Sequence, residues 1–176
     1  MYTDRELIER CLENDPRAQE FLYKRFSRRM YGVCLRFARN TMEADDILQE
    51  GFIKVFSFLK DFRHDGSLEG WIRRTIVNTA INNYNSKQNE WSETSIDLAE
   101  SHHSVAEEIL DKISTADLLK LIHELPEGYR LVFNLYVIEG YNHKEIAEML
   151  NISENTSKSQ LSRARMALQQ RLIQRK

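Results

Sequence analysis

Turn-forming residues are scarce in this chain, with six Gly and two Pro among 176 residues. So few leave little material for the tight connections of an all-β fold, and they favour long helices. Cysteine is nearly missing as well. Cys11 and Cys34 are too few for a disulfide framework or a four-ligand zinc site, so reduced thiols are expected. No apolar run reaches the ~18 residues that a membrane span needs, so no membrane insertion is expected. The opening MYTDRELIER is too charged for a signal peptide, and a cytoplasmic location is the expectation. An excess of positive charge is also lacking. Lys+Arg is 25 and Asp+Glu 27, a formal net charge of −2, which read alone argues against a polybasic nucleic-acid binder. No Gly-rich phosphate loop, nucleophile elbow or HExxH occurs. His102-His103 has no Cys or second His pair at metal-ligand spacing. No catalytic residue, metal site or cofactor is expected, and the chain does not read as an enzyme.

What is present is 41% hydrophobic and 30% charged residues, the balance of a globular protein. The charge is uneven. Residues 1–90 carry a net +1, residues 91–119 a net −6 (Glu93, Asp97, Glu100, Glu107, Glu108, Asp111 and Asp117 against one Lys), and residues 120–176 a net +3. The stretch Asn85–Ser104 is polar and has little periodicity, as a linker has. Two small helical domains follow, 1–88 and 105–176, with a linker over 89–104.

Start and stop signals place the helices. Thr3 with Glu6 is a capping box for a helix to about Glu13, which Asn14-Asp15-Pro16 ends. Pro16 suits the first turn of a second helix that reaches about Asn40. Cys34 falls in its apolar series and reads as a core residue. Thr41 caps a third helix to about Leu59. Ser67 caps a fourth to about Tyr84, with fraying expected at Asn82-Asn83-Tyr84-Asn85. Val105–Glu124 is helical. Pro126 starts a helix through Tyr136 that ends near Gly140; the run Leu131–Ile138 could be a strand on composition, but its surroundings favour helix. Asn142 or His143 caps a short helix to Leu150, and Ser153 caps the last, to about Ile173. The fold class is all-α.

Three helix faces stand out. The C-terminal pair, joined by Asn151-Ile152-Ser153, has the layout of a helix-turn-helix. Leu161, Ala164, Leu168, Leu172 and Ser157 make the inner stripe of its second helix. Asn155, Thr156, Ser159, Ser162 and Arg163 face the other way, with Lys158 and Arg165 at the flanks. Short polar side chains with an Arg suit a helix in the major groove, although a merely solvated face has the same pattern. On the fourth helix Leu68, Ile72, Ile76 and Thr79 form the core stripe, while Trp71, Arg74, Asn78, Asn82 and Asn85 share another face. A stacking aromatic, a phosphate-binding Arg and base-reading amides could hold a single strand. Packing of Trp71 into the domain is the plainer alternative. On the third helix, a stripe of Asp46, Gln49, Glu50, Ile53 and Ser57 lies apart from the core stripe Leu48, Phe52, Val55 and Leu59. A protein could dock there, with Ile53 as anchor and the acids for orientation.

Taken in order, these segments resemble a known family. Asp45-Asp46-Ile47-Leu48-Gln49-Glu50-Gly51-Phe52-Ile53-Lys54-Val55-Phe56 looks like the core-polymerase-binding helix of bacterial sigma factors. Gly66-Ser67-Leu68-Glu69-Gly70-Trp71-Ile72-Arg73-Arg74, with Ile76 and Asn78, resembles their promoter-melting helix. Leu125-Pro126-Glu127, Glu145-Ile146-Ala147, Thr156, Lys158-Ser159, Leu161 and Arg163-Ala164-Arg165 resemble their C-terminal helix-turn-helix. The short two-domain layout is similar to the extracytoplasmic-function subfamily of the sigma-70 superfamily. The resemblance implies an initiation factor whose partners are bacterial core RNA polymerase and promoter DNA, and it admits an anti-sigma factor as a third. It implies that Asp46, Gln49, Glu50, Phe52 and Ile53 dock on the polymerase. Phe62, Trp71, Arg74, Asn78 and Asn82 would meet the −10 element, and Thr156, Lys158, Ser159, Ser162 and Arg163 the −35 element. The acidic linker would thread toward the RNA exit path.

Three departures from the family pattern are visible. Ser157 occupies a place that is usually apolar, so its hydroxyl is expected to need a backbone partner. Gln160 and Ser162 stand where many relatives carry a larger or charged residue. After the melting helix the chain reads Tyr84-Asn85-Ser86-Lys87-Gln88-Asn89, with a single base where many relatives have a basic cluster. A helix-turn-helix regulator that acts without core polymerase is the alternative, and it leaves the faces of the third and fourth helices without a use.

Overall fold

A computed structural model describes residues 2–91 and 115–174. Among these residues the chain is helical and contains no strand. It divides into two compact units, Met1–Lys87 and Gln88–Lys176.

The N-terminal unit is built from α1 (Asp4–Leu12), α2 (Pro16–Phe37), α3 (Thr41–Phe58) and α4 (Leu68–Trp91). The Thr3 hydroxyl accepts from the Glu6 N–H, and the Glu6 carboxylate accepts from the Thr3 N–H at 2.8 Å, so two orphan donors of α1 are satisfied reciprocally. These bonds to Thr3 hold the Glu6 carboxyl below its usual range. Asn14 takes a left-handed φ of 62° at the break, and Asp15 caps α2 ahead of Pro16. α2 stops at Phe37 rather than near Asn40. Asn40, not Thr41, caps α3: its side-chain oxygen accepts from the Glu43 N–H at 2.9 Å. Both residue types serve as caps, and the extended backbone of Asn40 decides between them. A 3₁₀ turn, Leu59–Asp61, follows α3. The Ser67 hydroxyl accepts from the Gly70 N–H at 3.0 Å and opens α4.

The core of this unit joins Leu7, Leu22, Met30, Ile47, Val55, Leu59, Leu68, Ile72 and Ile76, all essentially inaccessible to water. Gly51 is needed at one close approach, where a Cβ would lie 2.3 Å from Ile76 Cδ1. Cys11 and Cys34 are both buried, and loss of hydration pushes their thiols up to about 11 and about 12. They are packing residues with protonated sulfurs.

The expected fraying at Asn82–Asn85 does not occur. α4 runs on to Trp91, so residues 85–91 are helix rather than linker. Lys87 Nζ lies 2.5 Å from Glu43 Oε1 on α3, a tertiary tie that outweighs the weak helix propensity of the asparagines. Residues 92–104 of the expected linker, the His102-His103 pair and the 105–114 part of the expected Val105–Glu124 helix lie outside the described residues.

The C-terminal unit comprises α5 (Thr115–His123), α6 (Glu127–Phe133), α7 (His143–Leu150) and α8 (Glu154–Gln174). The run Leu131–Ile138 is helical, not extended, but a π turn over Asn134–Ile138 replaces the second half of the expected helix. Its mark is the Glu139 N–H bonded to the Asn134 carbonyl five residues back, at 3.0 Å. Gly140, with φ 80°, then reverses the chain. Leu121, Ile122, Leu125, Ala164 and Leu168 make a core cluster, with Tyr129, Phe133 and Leu172 against its edge. Arg171 closes it by donating to the carbonyls of Leu121 (3.3 Å) and Glu124 (2.9 Å), oxygens that the end of α5 leaves without helical partners.

Candidate functional site

On α3, the side chains of Asp46, Gln49, Glu50, Ile53 and Ser57 are all exposed, and Ile53 keeps 61% of its surface in water. Met42 (74%) and Phe58 (52%) are the other large apolar residues that α3 leaves in water. Lys54 reaches Glu50 at 2.6 Å, and the Ser57 hydroxyl donates to the Ile53 carbonyl at 2.8 Å. Phe52 adds little accessible area to this surface. It is 3% exposed and packs edge-on against Tyr23 of α2, ring centroids 4.8 Å apart. Tyr23, Asp45, Gln49, Phe52, Ile53 and Phe56 line one shallow groove, with Phe52 as its floor. Tyr23 had no local sequence signal, because it reaches the groove only through the pairing of α2 with α3.

On α4, Arg74, Asn78 and Asn82 are exposed on one face, and Trp71 and Asn85 are half-buried on it. The core stripe Leu68, Ile72, Ile76 and Thr79 is buried behind. Trp71 thus answers to both readings, since one part packs inward while another remains accessible. Phe62 is only 9% exposed. Its ring lies 5.7 Å from Trp71 and 4.8 Å from His64, so it braces the indole and the loop more than it presents a surface itself. His64 bends that loop with φ 58°. Arg29 of α2 lies 2.8 Å from Glu69 in the first turn of α4, a solvated ion pair near Trp71.

On α7 and α8, the helix-turn-helix is assembled from local signals. Asn142 and Glu145 form a capping box, which assigns the cap to Asn142. Asn151 ends α7 in the left-handed region (φ 54°, ψ 45°), and the Ile152 N–H bonds back to the Ala147 carbonyl at 3.0 Å. The Ser153 hydroxyl accepts from the Thr156 N–H at 2.9 Å. Asn155, Lys158, Ser159, Ser162 and Arg165 are exposed, whereas Thr156 and Arg163 are half-buried. The hydroxyl of Ser159 donates to the Thr156 carbonyl at 2.9 Å, so toward a ligand it offers an acceptor. Lys158 stands 3.9 Å from Glu154 and is largely solvated.

Ser157 corrects its expectation. It is completely buried, but its partner is a side chain: its Oγ lies 2.9 Å from Nδ1 of His143, the first residue of α7. Tyr136 of the π turn stacks on the same imidazole, with centroids 4.5 Å apart and planes 23° apart. Burial holds the His143 imidazole below its usual range, the Lys158 and Arg165 cations add to this, and Glu154 opposes it.

Among the described residues no group of three or more His, Cys, Asp or Glu could hold a metal ion. No described helix is long and apolar enough to cross a membrane. Comparison with known proteins gives one answer at both ends of the chain. Residues 22–90 match the family described as Sigma-70 region 2, and residues 115–168 match Sigma-70, region 4. The RNA polymerase sigma-H factor of Pseudomonas aeruginosa is 27% identical over 180 residues, spanning 96% of this chain and 93% of the relative. The ECF RNA polymerase sigma-E factor of Escherichia coli is 28% identical over 177 residues, spanning 94% and 92%. Among solved structures, the sigma factor RpoE in complex with the anti-sigma factor NepR from Bartonella quintana shares the fold with a TM-score of 0.53 at 18% identity, covering 88% of this chain and 96% of the other. CnrH in complex with the cytosolic domain of CnrY does so with a TM-score of 0.50 at 22% identity, covering 96% of each. With region 2 and region 4 matched in order and relatives of its own length, the chain belongs to the sigma-70 family, as a sigma factor of the ECF group.

Proposed function

We propose that this chain is a transcription initiation factor that binds bacterial core RNA polymerase and directs it to promoters. The observation that carries this reading is the order of the region 2 and region 4 matches, together with an exposed Asp46-Gln49-Glu50-Ile53 surface within the first. A regulator working without polymerase would have no use for that surface. Two domains, the first closing with α4 at Trp91 and the second over 105–176, divide the work, tethered by the residues between them. The exposed stripe of α3 docks on the polymerase, with Ile53 as the desolvated anchor and Phe52 holding the groove floor. On α4, Trp71 stacks on a base of the opened strand, Arg74 meets phosphate, and Asn78 and Asn82 read base edges of the −10 element. Phe62 acts by bracing Trp71. On α8, Lys158, Ser159, Ser162 and Arg163 face the −35 element in the major groove, with Thr156 near phosphate.

These roles are binding roles, and bond making is left to the polymerase. The protein works in the cytoplasm, where chromosome and polymerase are. The acidic segment threads toward the RNA exit path, where nucleic acid must later displace it. The Bartonella relative is paired with an anti-sigma factor, which supports the same class of partner for this chain. Run-off transcription on genomic fragments with purified bacterial core polymerase tests the reading. The expected result is core binding and transcripts that start at defined sites. Absence of both overturns it.

A further inference from the structure

Three separate segments of the C-terminal unit meet at one imidazole. Tyr136 stacks on it from the π turn, His143 carries it on the first turn of α7, and Ser157 reaches it from α8. Ser157 is fully enclosed, and its sequence neighbours Thr156 and Lys158 belong to the proposed DNA face. A shift of the α8 backbone at Ser157 therefore moves those neighbours with it. Ile146, Ala147 and Leu150 of α7 and Leu161 and Ala164 of α8 are buried apolar residues. Apolar contacts are non-directional and let one helix roll on another. A hydrogen bond at 2.9 Å is directional. In the tautomer with its proton on Nε2, the His143 Nδ1 lone pair accepts the Ser157 hydroxyl proton. Without that acceptor, the buried hydroxyl must turn to the Ser153 carbonyl of its own helix, which already receives the Ser157 N–H at 3.0 Å. Such back-bonding bends helices.

We propose that His143 is a positioning residue for −35 recognition: its Nδ1 bond to the buried Ser157 hydroxyl fixes the roll of α8 on α7, and so the reach of Thr156 and Lys158 toward DNA. This rests on the reading of α8 as a promoter-facing helix. Neither His143 nor Ser157 needs to touch the promoter for this role. The groups that face the imidazole are Tyr136 from the π turn and Ser157, Lys158, Glu154 and Arg165 from α8.

The test uses the full chain loaded on bacterial core polymerase and the duplex that this holoenzyme enriches from a random library. Affinity for that duplex is compared for the wild type, His143→Ala, Ser157→Ala, the double variant and His143→Asn. Loss of one neutral hydrogen bond predicts a drop of roughly three- to tenfold in each single alanine variant. The double variant falls no further than either single one, and His143→Asn, whose amide comes close to the position of Nδ1, recovers most of the loss. Nitrogen spectra of the full chain give a second readout: Ser157→Ala moves the His143 Nδ1 resonance, while Ser159→Ala leaves it in place. Additive losses, equal affinities throughout, or an unmoved resonance overturn the proposal. If the wild-type holoenzyme enriches no sequence, the promoter reading itself fails and the recognition role goes with it. If it enriches one that all variants bind equally, only the role of His143 fails.

Discussion

Gln49 and Glu50 are exposed on α3 beside Ile53, and neither packs into the core. Replacing both with Ala is expected to lower core-polymerase affinity about tenfold or more, the cost of removing contacts around a hot spot. The thermal unfolding curve should hardly move. Equal affinity in a fluorescence titration would refute the assignment. His143 predicts a pH effect of definite sign. Its imidazole takes a proton at lower pH in the folded protein than the ordinary 6.5 of an unfolded chain. Its contribution to stability is therefore present above about pH 6.5 and is lost as pH falls through the folded value. Denaturant unfolding at pH 7.5 and 5.5 should show this loss, and His143→Asn should abolish that part of it. At this scale the sequence was only partly legible. The polar positions of each stripe could be read from periodicity alone. The roles of Phe52 and Phe62 could not, because the rings that enclose them come partly from elsewhere, Tyr23 on α2 and Trp71 on α4. The partner of Ser157 lies fourteen positions earlier, across the turn, where no helical spacing points.

Elements were legible wherever local chemistry decides. The capping box at Thr3, the Pro16 start, the Ser67 and Ser153 caps and the Asn151 turn all involve neighbours within a few positions, and each can be seen in the chain as written. The length of α4 was not legible, since Asn82–Asn85 suggest an end, while the tie from Lys87 to Glu43 lies 44 positions away in the chain. The π turn was not legible either, because its extra residue answers to how the α6 segment packs rather than to any residue type. Substitutions at two positions test how tightly the elements are specified. Gly51→Ala forces a methyl group onto Ile76 and should cost about 1–3 kcal/mol by overpacking. Asn151→Val places a β-branched residue in the left-handed region and should cost about 1–3 kcal/mol, whereas Asn151→Gly should be nearly neutral. Both are read from denaturant midpoints, and a neutral Asn151→Val would contradict the tight turn.

For the whole molecule, the net charge of −2 concealed its own distribution. An acidic middle of −6 sits between ends of +1 and +3. Like charge opposes a phosphate backbone, so the protein without polymerase should bind DNA weakly. Neutralising Glu93, Asp97, Glu100, Glu107, Glu108, Asp111 and Asp117 to their amides should raise non-specific DNA affinity of the chain alone several-fold at low salt. The gain should vanish near 1 M salt, where charges are screened beyond ~3 Å. An anisotropy titration that shows no gain would remove the acidic segment from any role in restraint. The Arg171 clasp on Leu121 and Glu124 has a consequence of a different kind, in time rather than affinity. Its two sides are fifty positions apart in the chain. During synthesis, α5 emerges early and must wait for Leu168 and Arg171 before its core is covered. The N-terminal unit waits in the same way for Ile76 and Lys87, but both precede the C-terminal unit, so it can fold while the ribosome is still at work. The half that grips polymerase is thus finished first, and the half proposed to read the −35 element becomes competent only once translation has passed Arg171.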